Sequence, residues 1–237
     1  MKLLALDTAT EACSAALWID GAVLEREALL GRGHAERILP MIDELLAEAG
    51  VRLQALDAVA FGRGPGAFTG VRIAVSVAQG LAYGAALPAV PISDLAALGA
   101  RALDRARASG TAADEALVAL DARMGEVYHG RVRPDARLGV VLLDEGLAPP
   151  AAAFALPPEA GLARVGAGHG FSAYPVFAER LGAALGAVWP ELLPRAAEIA
   201  ALGVRAFAAG LAVTAEDAAP VYLRDQVASQ SGRPRAQ

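Results

Sequence analysis

The chain has one cysteine, Cys13, and one lysine, Lys2, among its 237 residues. A lone thiol excludes an intrachain disulfide and fits a reducing, cytoplasmic setting. A lone lysine at position 2 excludes the P-loop, G-x-x-x-x-G-K-[ST], as a phosphate cradle. No G-x-S-x-G occurs, so a serine-hydrolase elbow has no support. The three histidines, His34, His129 and His169, never fall at i, i+4, which argues against a helix-borne zinc or iron site. An excess of basic charge is also missing. The net charge of −5 does not suit a chain that grips nucleic acid by itself. The apolar opening before Asp7 is too short for a signal-peptide core. Residues 73–93 carry no charge, but Gln79, Gly80, Gly84 and Pro88 dilute them below the ~20 strongly apolar residues of a membrane span. A buried helix followed by a buried strand is the expectation there, with no membrane contact.

What is present is a regular order of elements. LLALDTAT (3–10) and CSAALWI (13–19) read as strands, and Asp20-Gly21 is a hairpin signal before the strand AVLEREAL (22–29). In 34–50, Ile38, Ile42, Leu45 and Ala49 recur at helical spacing with Leu39 and Leu46 beside them, and Gly50 ends the helix. Pro40 must sit in its first turn or kink it. The strand ALDAVAF (55–61) leads through the glycine-rich GRGPGAFTGVR (62–72) into a helix from about 69 to 84. ALPAVPI (86–92) is a buried strand, and Ser93 is a suitable N-cap for a helix over 93–108. After a linker, 109–115, three strands follow again at 116–123, 125–132 and 138–145, then a loop region at 149–161 and a last helix at 197–210. The tail SGRPRAQ is read as a mobile end.

This duplicated β-β-β-α-β-α-β-α plan is similar to that of the actin, Hsp70 and hexokinase superfamily, a ribonuclease-H-like duplication. It implies an α/β fold of two halves, 1–108 and 109–237, each a mixed sheet covered by helices, with the last helix (about 195–210) free to pack back on the first half. In that superfamily, phosphates rest on the turn after the first strand of each half. Here those turns hold Asp7, Thr8 and Thr10 in the first half and Asp121 in the second, as candidate vestigial nucleotide contacts. Ala9 stands where active members place a glycine, and the second turn has only Gly125. VGAGHGF (165–171) is a candidate remnant of an adenosine-side loop. His34 is read as a cap or an interface contact, His129 as a surface strand residue and His169 as a turn residue.

LALDTAT, GHAERILPMI, GRGPGAFTGVRIAVSVAQGLA and VYLRDQVA together resemble the TsaB (YeaZ) family over nearly the whole chain, GPGAFTGVR being the most specific part. The resemblance implies a non-catalytic subunit of the complex that builds threonylcarbamoyladenosine next to the tRNA anticodon. Its implied partners are TsaD and TsaE, with tRNA reached through the complex, and the subunit can form a homodimer when alone. No cofactor of its own is implied; ATP or ADP would enter only in complex with TsaD. TsaD proteins carry a metal-binding H-x-x-x-H pair after a proline like Pro91; Asp94 and Leu98 occupy those positions here. The implied partner face lies on the two helices, at His34, Glu36, Arg37, Leu39, Met41, Thr69, Arg72, Ile73, Ser76, Val77 and Gly80. Gly70, Ala74, Ser76, Ala78, Gly80, Ala82 and Gly84 would let another helix come close, although ordinary core packing explains them as well on composition alone. The rival readings are an actin-like small-molecule kinase, which needs more glycine in both phosphate turns, and a metallopeptidase-like enzyme, which needs the paired histidines.

Overall fold

The structure is a computed structural model that describes residues 1–154 and 161–224. Strands β1 (Lys2–Asp7), β2 (Ala12–Ile19) and β3 (Ala22–Leu29) form an antiparallel meander. Asp20 and Gly21, at φ 48° and 102°, close its second hairpin with the turn that the right-handed twist of strands prefers. Helix α1 (His34–Ala49) leads to β4 (Ala58–Gly62), and helix α2 (Phe68–Ala85) to β5 (Ala89–Ile92). Both later strands run parallel to β1, giving the order β3-β2-β1-β4-β5. Helix α3 (Asp94–Ser109) follows, with the Ser93 hydroxyl accepting from Ala96 N as its N-cap.

The second sheet repeats this plan strand for strand. It consists of β6 (Glu115–Asp121), β7 (Val127–Asp135), β8 (Gly139–Ala148), β9 (Arg164–Ala167) and β10 (Leu185–Trp189), in the order β10-β9-β6-β7-β8. Helices α4 (Gly170–Ala173) and α5 (Val176–Leu181) stand between β9 and β10, and α6 (Ala196–Ala208) follows β10. No helix stands between β8 and β9 among the described residues. This is the actin-like α/β fold, with each half a mixed sheet covered by helices. The end of the 149–161 loop region, part of VYLRDQVA and the arginine-bearing tail fall outside the described residues.

Between Lys2 and Asp7, strand β1 is apolar because helices cover both of its faces. Leu4 and Leu6 pack in the cluster with α1 and α2, whereas Leu3 and Ala5 pack in the cluster with α6. Helix α1 buries Ile38, Met41, Ile42 and Leu45, and ends at Gly50 in the left-handed region, with Val51 N bonded to Leu46 O at 3.0 Å. Pro40 lies in its second turn rather than its first, on the exposed side with Glu36, whose carbonyl it leaves without a helical donor.

The helices that close the two halves are exchanged between the sheets. Leu95, Leu98, Ala102, Leu103 and Ala106 of α3 pack mainly with Ala116, Val118, Leu120 and Val132 of the second sheet, and Ala97 on the other side of the helix packs with the first. Helix α6 covers the first sheet through Ile199, Ala200, Leu202 and Ala206. Its first amides are satisfied from that sheet, with Ala196 N donating to Ser14 Oγ at 2.9 Å and Ala197 N to Glu25 Oε1 at 3.1 Å. Among the described residues no helix is long and apolar enough to cross a membrane.

Helix α6 meets β4 closely at Gly203, where an added Cβ would lie 2.8 Å from Ala60 Cβ. Gly203→Val is therefore expected to destabilise the protein by about 1–3 kcal/mol through overpacking. Urea unfolding measures this, and an unchanged midpoint would contradict the packing described.

Candidate functional site

A cleft of about 1060 Å³ opens between the ends of β1 and β6. Thr8, Thr10, His34, Thr69, Asp121, His169 and Arg224 are among its lining residues, and Asp7 is not. The polar groups of the turn after β1 are directed into the protein. The Thr8 hydroxyl donates to Gly70 O at 2.6 Å, Ala9 N donates to Asp7 Oδ1 at 2.8 Å, and Ala9 O accepts from Ala67 N at 2.7 Å. Thr10 Oγ1 accepts from Ala12 N at 3.2 Å, and the His34 ring bonds Thr10 O at 2.9 Å.

The glycines of 62–70 serve this contact. A Cβ at Gly66 would lie 2.4 Å from Ala9 O, and one at Gly70 would lie 2.0 Å from Thr8 O. The loop and the first turn are thus packed backbone to backbone, which leaves no room for a phosphate between them. The glycines of VGAGHGF have a similar cause, because a Cβ at Gly168 would lie 2.3 Å from Ala119 O.

In the second turn, Asp121 accepts from Arg123 N at 2.9 Å and from the Tyr174 hydroxyl at 2.9 Å. Its own amide donates to His169 Nδ1 at 2.9 Å, so that nitrogen is the unprotonated one, and burial pushes the His169 pKa down. Tyr174 was not signalled by any local pattern, and Arg224 lies in the VYLRDQVA stretch but was not singled out within it. Arg224 reaches from the C-terminal segment to Glu126 (2.6 Å) and Ala122 O (3.2 Å). His129, expected at the surface, instead packs edge-on against Phe154 at 5.4 Å between ring centroids, and burial lowers its pKa too.

Beneath the glycine loop lies a pair of carboxyl groups, Asp7 and Asp94, both wholly buried. Asp94 Oδ2 accepts from Gly64 N at 2.5 Å, while Asp7 Oδ2 and Asp94 Oδ1 have no donor among the described residues apart from each other's carboxyl group. Two such groups, hydrogen-bonded to each other, share a proton, because burial leaves a second negative charge there without solvent and the lowering effect of Arg63 on Asp94 is the smaller one. Burial raises Asp7 to about 6, and burial together with the neighbouring Asp7 charge raises Asp94 well above the usual carboxylate range. Gly62 is required here as well, since its Cβ would lie 2.4 Å from Asp94 Oδ1.

The outward faces of α1 and α2 form the second candidate surface. Glu36, Leu39, Thr69, Arg72, Ser76 and Gly80 are exposed, and His34, Arg37, Ile73 and Val77 are half-buried beside them. Met41 does not belong to this face; it is 1% exposed, because its position on α1 turns it into the core with Ile38 and Ile42. The small residues of α2 divide in two. Gly70, Ala74, Ala78 and Ala82 are buried, whereas Ser76, Gly80 and Gly84 face outward. Arg72 donates to the Tyr222 hydroxyl at 2.7 Å and lies 3.7 Å over the Phe68 ring.

The family described as TsaD, tRNA N6-adenosine threonylcarbamoyltransferase, matches residues 28–231. The tRNA threonylcarbamoyladenosine biosynthesis protein TsaB of Escherichia coli (strain K12) is 42% identical over 238 residues, 96% of each chain. The chain belongs to the TsaB (YeaZ) branch of the TsaD family. A solved structure, YeaZ from Pseudomonas aeruginosa, is 44% identical, with a TM-score of 0.83 over 94% of this chain and 99% of its own. The TsaB of Haemophilus influenzae is 52% identical over 132 residues, 56% of this chain and 54% of that relative. In this TsaB-family chain, the positions compared above with the TsaD histidines hold Asp94, turned toward Asp7 and Gly64, and Leu98, wholly buried against the second sheet. Among the described residues no three His, Cys, Asp or Glu side chains converge to hold a metal ion.

Both carboxyl groups have folded pKa values above the unfolded value of 3.8. Their contribution to stability is therefore fully present below about pH 4 and is lost as pH rises through about 6 for Asp7, with the Asp94 share lost at higher pH. An Asp94→Asn amide can accept from Gly64 and donate to Asp7, so it removes most of this dependence. Thermal unfolding is expected to show wild type losing on the order of 2 kcal/mol more than Asp94→Asn between pH 5 and 8. Parallel pH profiles for the two proteins would contradict the shared proton.

Proposed function

We propose that this chain is the non-catalytic subunit of the machinery that forms threonylcarbamoyladenosine on tRNA, and that it works by docking its α1–α2 face against TsaD. The observation that carries this reading is Gly80. A glycine inside a helix costs about 1 kcal/mol relative to alanine. Its own fold does not require it, because a Cβ at Gly80, or at Gly84 one turn on, would meet nothing within 4 Å. Bare backbone on an outward face, flanked by Ser76 and bordered by Ile73, Val77 and Leu39, suits the close approach of another helix. A partner covering that face would bury on the order of 1,600 Å² in total. The same patch, repeated on a second copy, would give a two-fold homodimer when TsaD is absent.

In this reading TsaE and tRNA are met through the complex, and nucleotide enters only with the partner present. The internal hydrogen bonds of Thr8, Ala9 and Asp7 support it, since they engage the groups a kinase of this fold would turn toward phosphate. Stoichiometric ATP turnover by the purified chain would favour the kinase reading instead.

Gly80→Ala is expected to stabilise the isolated chain by about 0.5–1 kcal/mol. Gly80→Leu is expected to weaken pairing with TsaD of the same organism by at least about tenfold, or ~1.4 kcal/mol. Analytical ultracentrifugation together with reconstituted tRNA modification checks both. Unchanged association of a folded Gly80→Leu protein would remove this face from the proposal, and threonylcarbamoyl transfer by the isolated chain would overturn the non-catalytic assignment.

A further inference from the structure

Helix α2 carries a single charged side chain, Arg72, in its 18 residues. It is exposed on the outward face, one turn before Ser76. Among the described residues no carboxylate pairs with it. Its guanidinium is nonetheless fixed. The central carbon lies 3.7 Å over the Phe68 ring and 5.6 Å from the centre of the Tyr222 ring, and Nε donates to the Tyr222 hydroxyl at 2.7 Å. The end of the fork stays open, since Nη1 and Nη2 have no partner among the described residues. Phe68 and Tyr222 are themselves 49% and 44% exposed. Exposed aromatic rings around an arginine are the residue types that dominate binding at protein interfaces.

Tyr222 belongs to the C-terminal segment, which crosses the first half as a strap. The strap pairs with β5 through Val213 and Ala89, buries Ala215 and Ala218 in the core, and bonds Val221 N to Arg63 O at 2.8 Å. Two residues beyond Tyr222, Arg224 fastens it to the second half at Ala122 O, Glu126 and Met124 Sδ. The hydroxyl that Arg72 reaches is therefore anchored on both sides. An unrestrained arginine must be ordered when it binds, whereas this one is ordered beforehand.

We propose that the Nη1–Nη2 edge of Arg72 takes an aspartate or glutamate carboxylate of the docking partner, with Phe68, Tyr222 and Arg224 holding it in position. A planar fork with two parallel N–H groups matches the two oxygens of a carboxylate. The Tyr222 hydroxyl, an acceptor toward Arg72, keeps its own hydrogen to donate to the same group. A phosphate would fit the fork as well, but nucleic-acid backbones are gripped by clustered cations, and Arg72 is isolated among the apolar and small residues of α2. Arg72 is thus the binding residue, and Tyr222 and Arg224 are positioning residues. This assignment rests on the reading of the α1–α2 face as the TsaD docking surface, and names the chemistry met there.

Calorimetric titration of the full chain with TsaD of the same organism, at low and at high salt, tests it. Arg72→Gln is expected to weaken association at least about tenfold and to flatten its salt dependence. Arg72→Lys keeps the charge without the fork and should lose most of the same affinity. Tyr222→Phe keeps the ring but removes the hydroxyl, and is expected to cost about threefold. The Arg72→Gln, Tyr222→Phe double variant should bind no more weakly than Arg72→Gln alone, because the hydroxyl acts through Arg72. Circular dichroism verifies the fold of each. Wild-type affinity and salt dependence in Arg72→Gln would overturn the carboxylate contact, and additive losses in the double variant would overturn the positioning role of the strap. Gly80→Leu separates this result from the docking reading. Affinity lost in Gly80→Leu but kept in Arg72→Gln would remove the carboxylate contact alone, whereas wild-type affinity in both would remove the face and the contact with it. Weaker retention of tRNA by an Arg72→Gln complex, with TsaD association unchanged, would assign the edge to phosphate and likewise overturn the proposal.

Discussion

Two backbones touch at the end of β1, and the rest of the first half is arranged around that contact. The turn after β1 and the loop that launches α2 are joined by Ala67 N to Ala9 O at 2.7 Å and by the Thr8 hydroxyl to Gly70 O at 2.6 Å. Only glycine at 66 and 70 allows this approach, since any side chain there would overlap the Thr8 or Ala9 carbonyl. The contact determines the start of α2 and hence which side of that helix faces the core. It also takes up the hydroxyl and amide that could otherwise face a ligand. The carboxyl pair of Asp7 and Asp94 continues the same seam, one group at the end of β1 and the other at the start of α3, with the Gly64 amide between loop and helix.

Around this seam the duplicated plan is interlocked. Each sheet has the same strand order, but α3 covers the second sheet and α6 the first, so neither half buries its apolar face alone. The C-terminal segment adds a tie of its own, since Tyr222 bonds Arg72 of α2 and Arg224 bonds Glu126 beyond β6. The outward row of Ser76, Gly80 and Gly84 is held by an inward row of Ala74, Ala78 and Ala82 packed against the core.

The sequence made the order of elements legible, because strand and helix periods, the Asp20-Gly21 turn and the Ser93 cap are local signals. The glycine loop was legible as a tight turn for the same reason. What was not legible depended on distance or on rotation about a helix axis. Asp7 and Asp94 are 87 positions apart (94 − 7), and nothing near either one announces the other. Small side chains surround α2 on every side, so their spacing could not separate the buried Ala78 from the exposed Gly80. On α1, Leu39 and Met41 are two residues apart and both apolar, and packing turned only Met41 inward. The exchange of α3 and α6 between sheets is a property of the assembled halves and has no local signature.

Amide hydrogen exchange across the chain, alone and mixed with TsaD of the same organism, tests the central claim most directly. The account predicts slowed exchange concentrated in α1 and α2, with the amides of residues 8–10 and 121–123 in the isolated chain unaffected by magnesium-ATP. Protection of those cleft amides by nucleotide in the chain alone, with α1 and α2 unchanged by the partner, would contradict it.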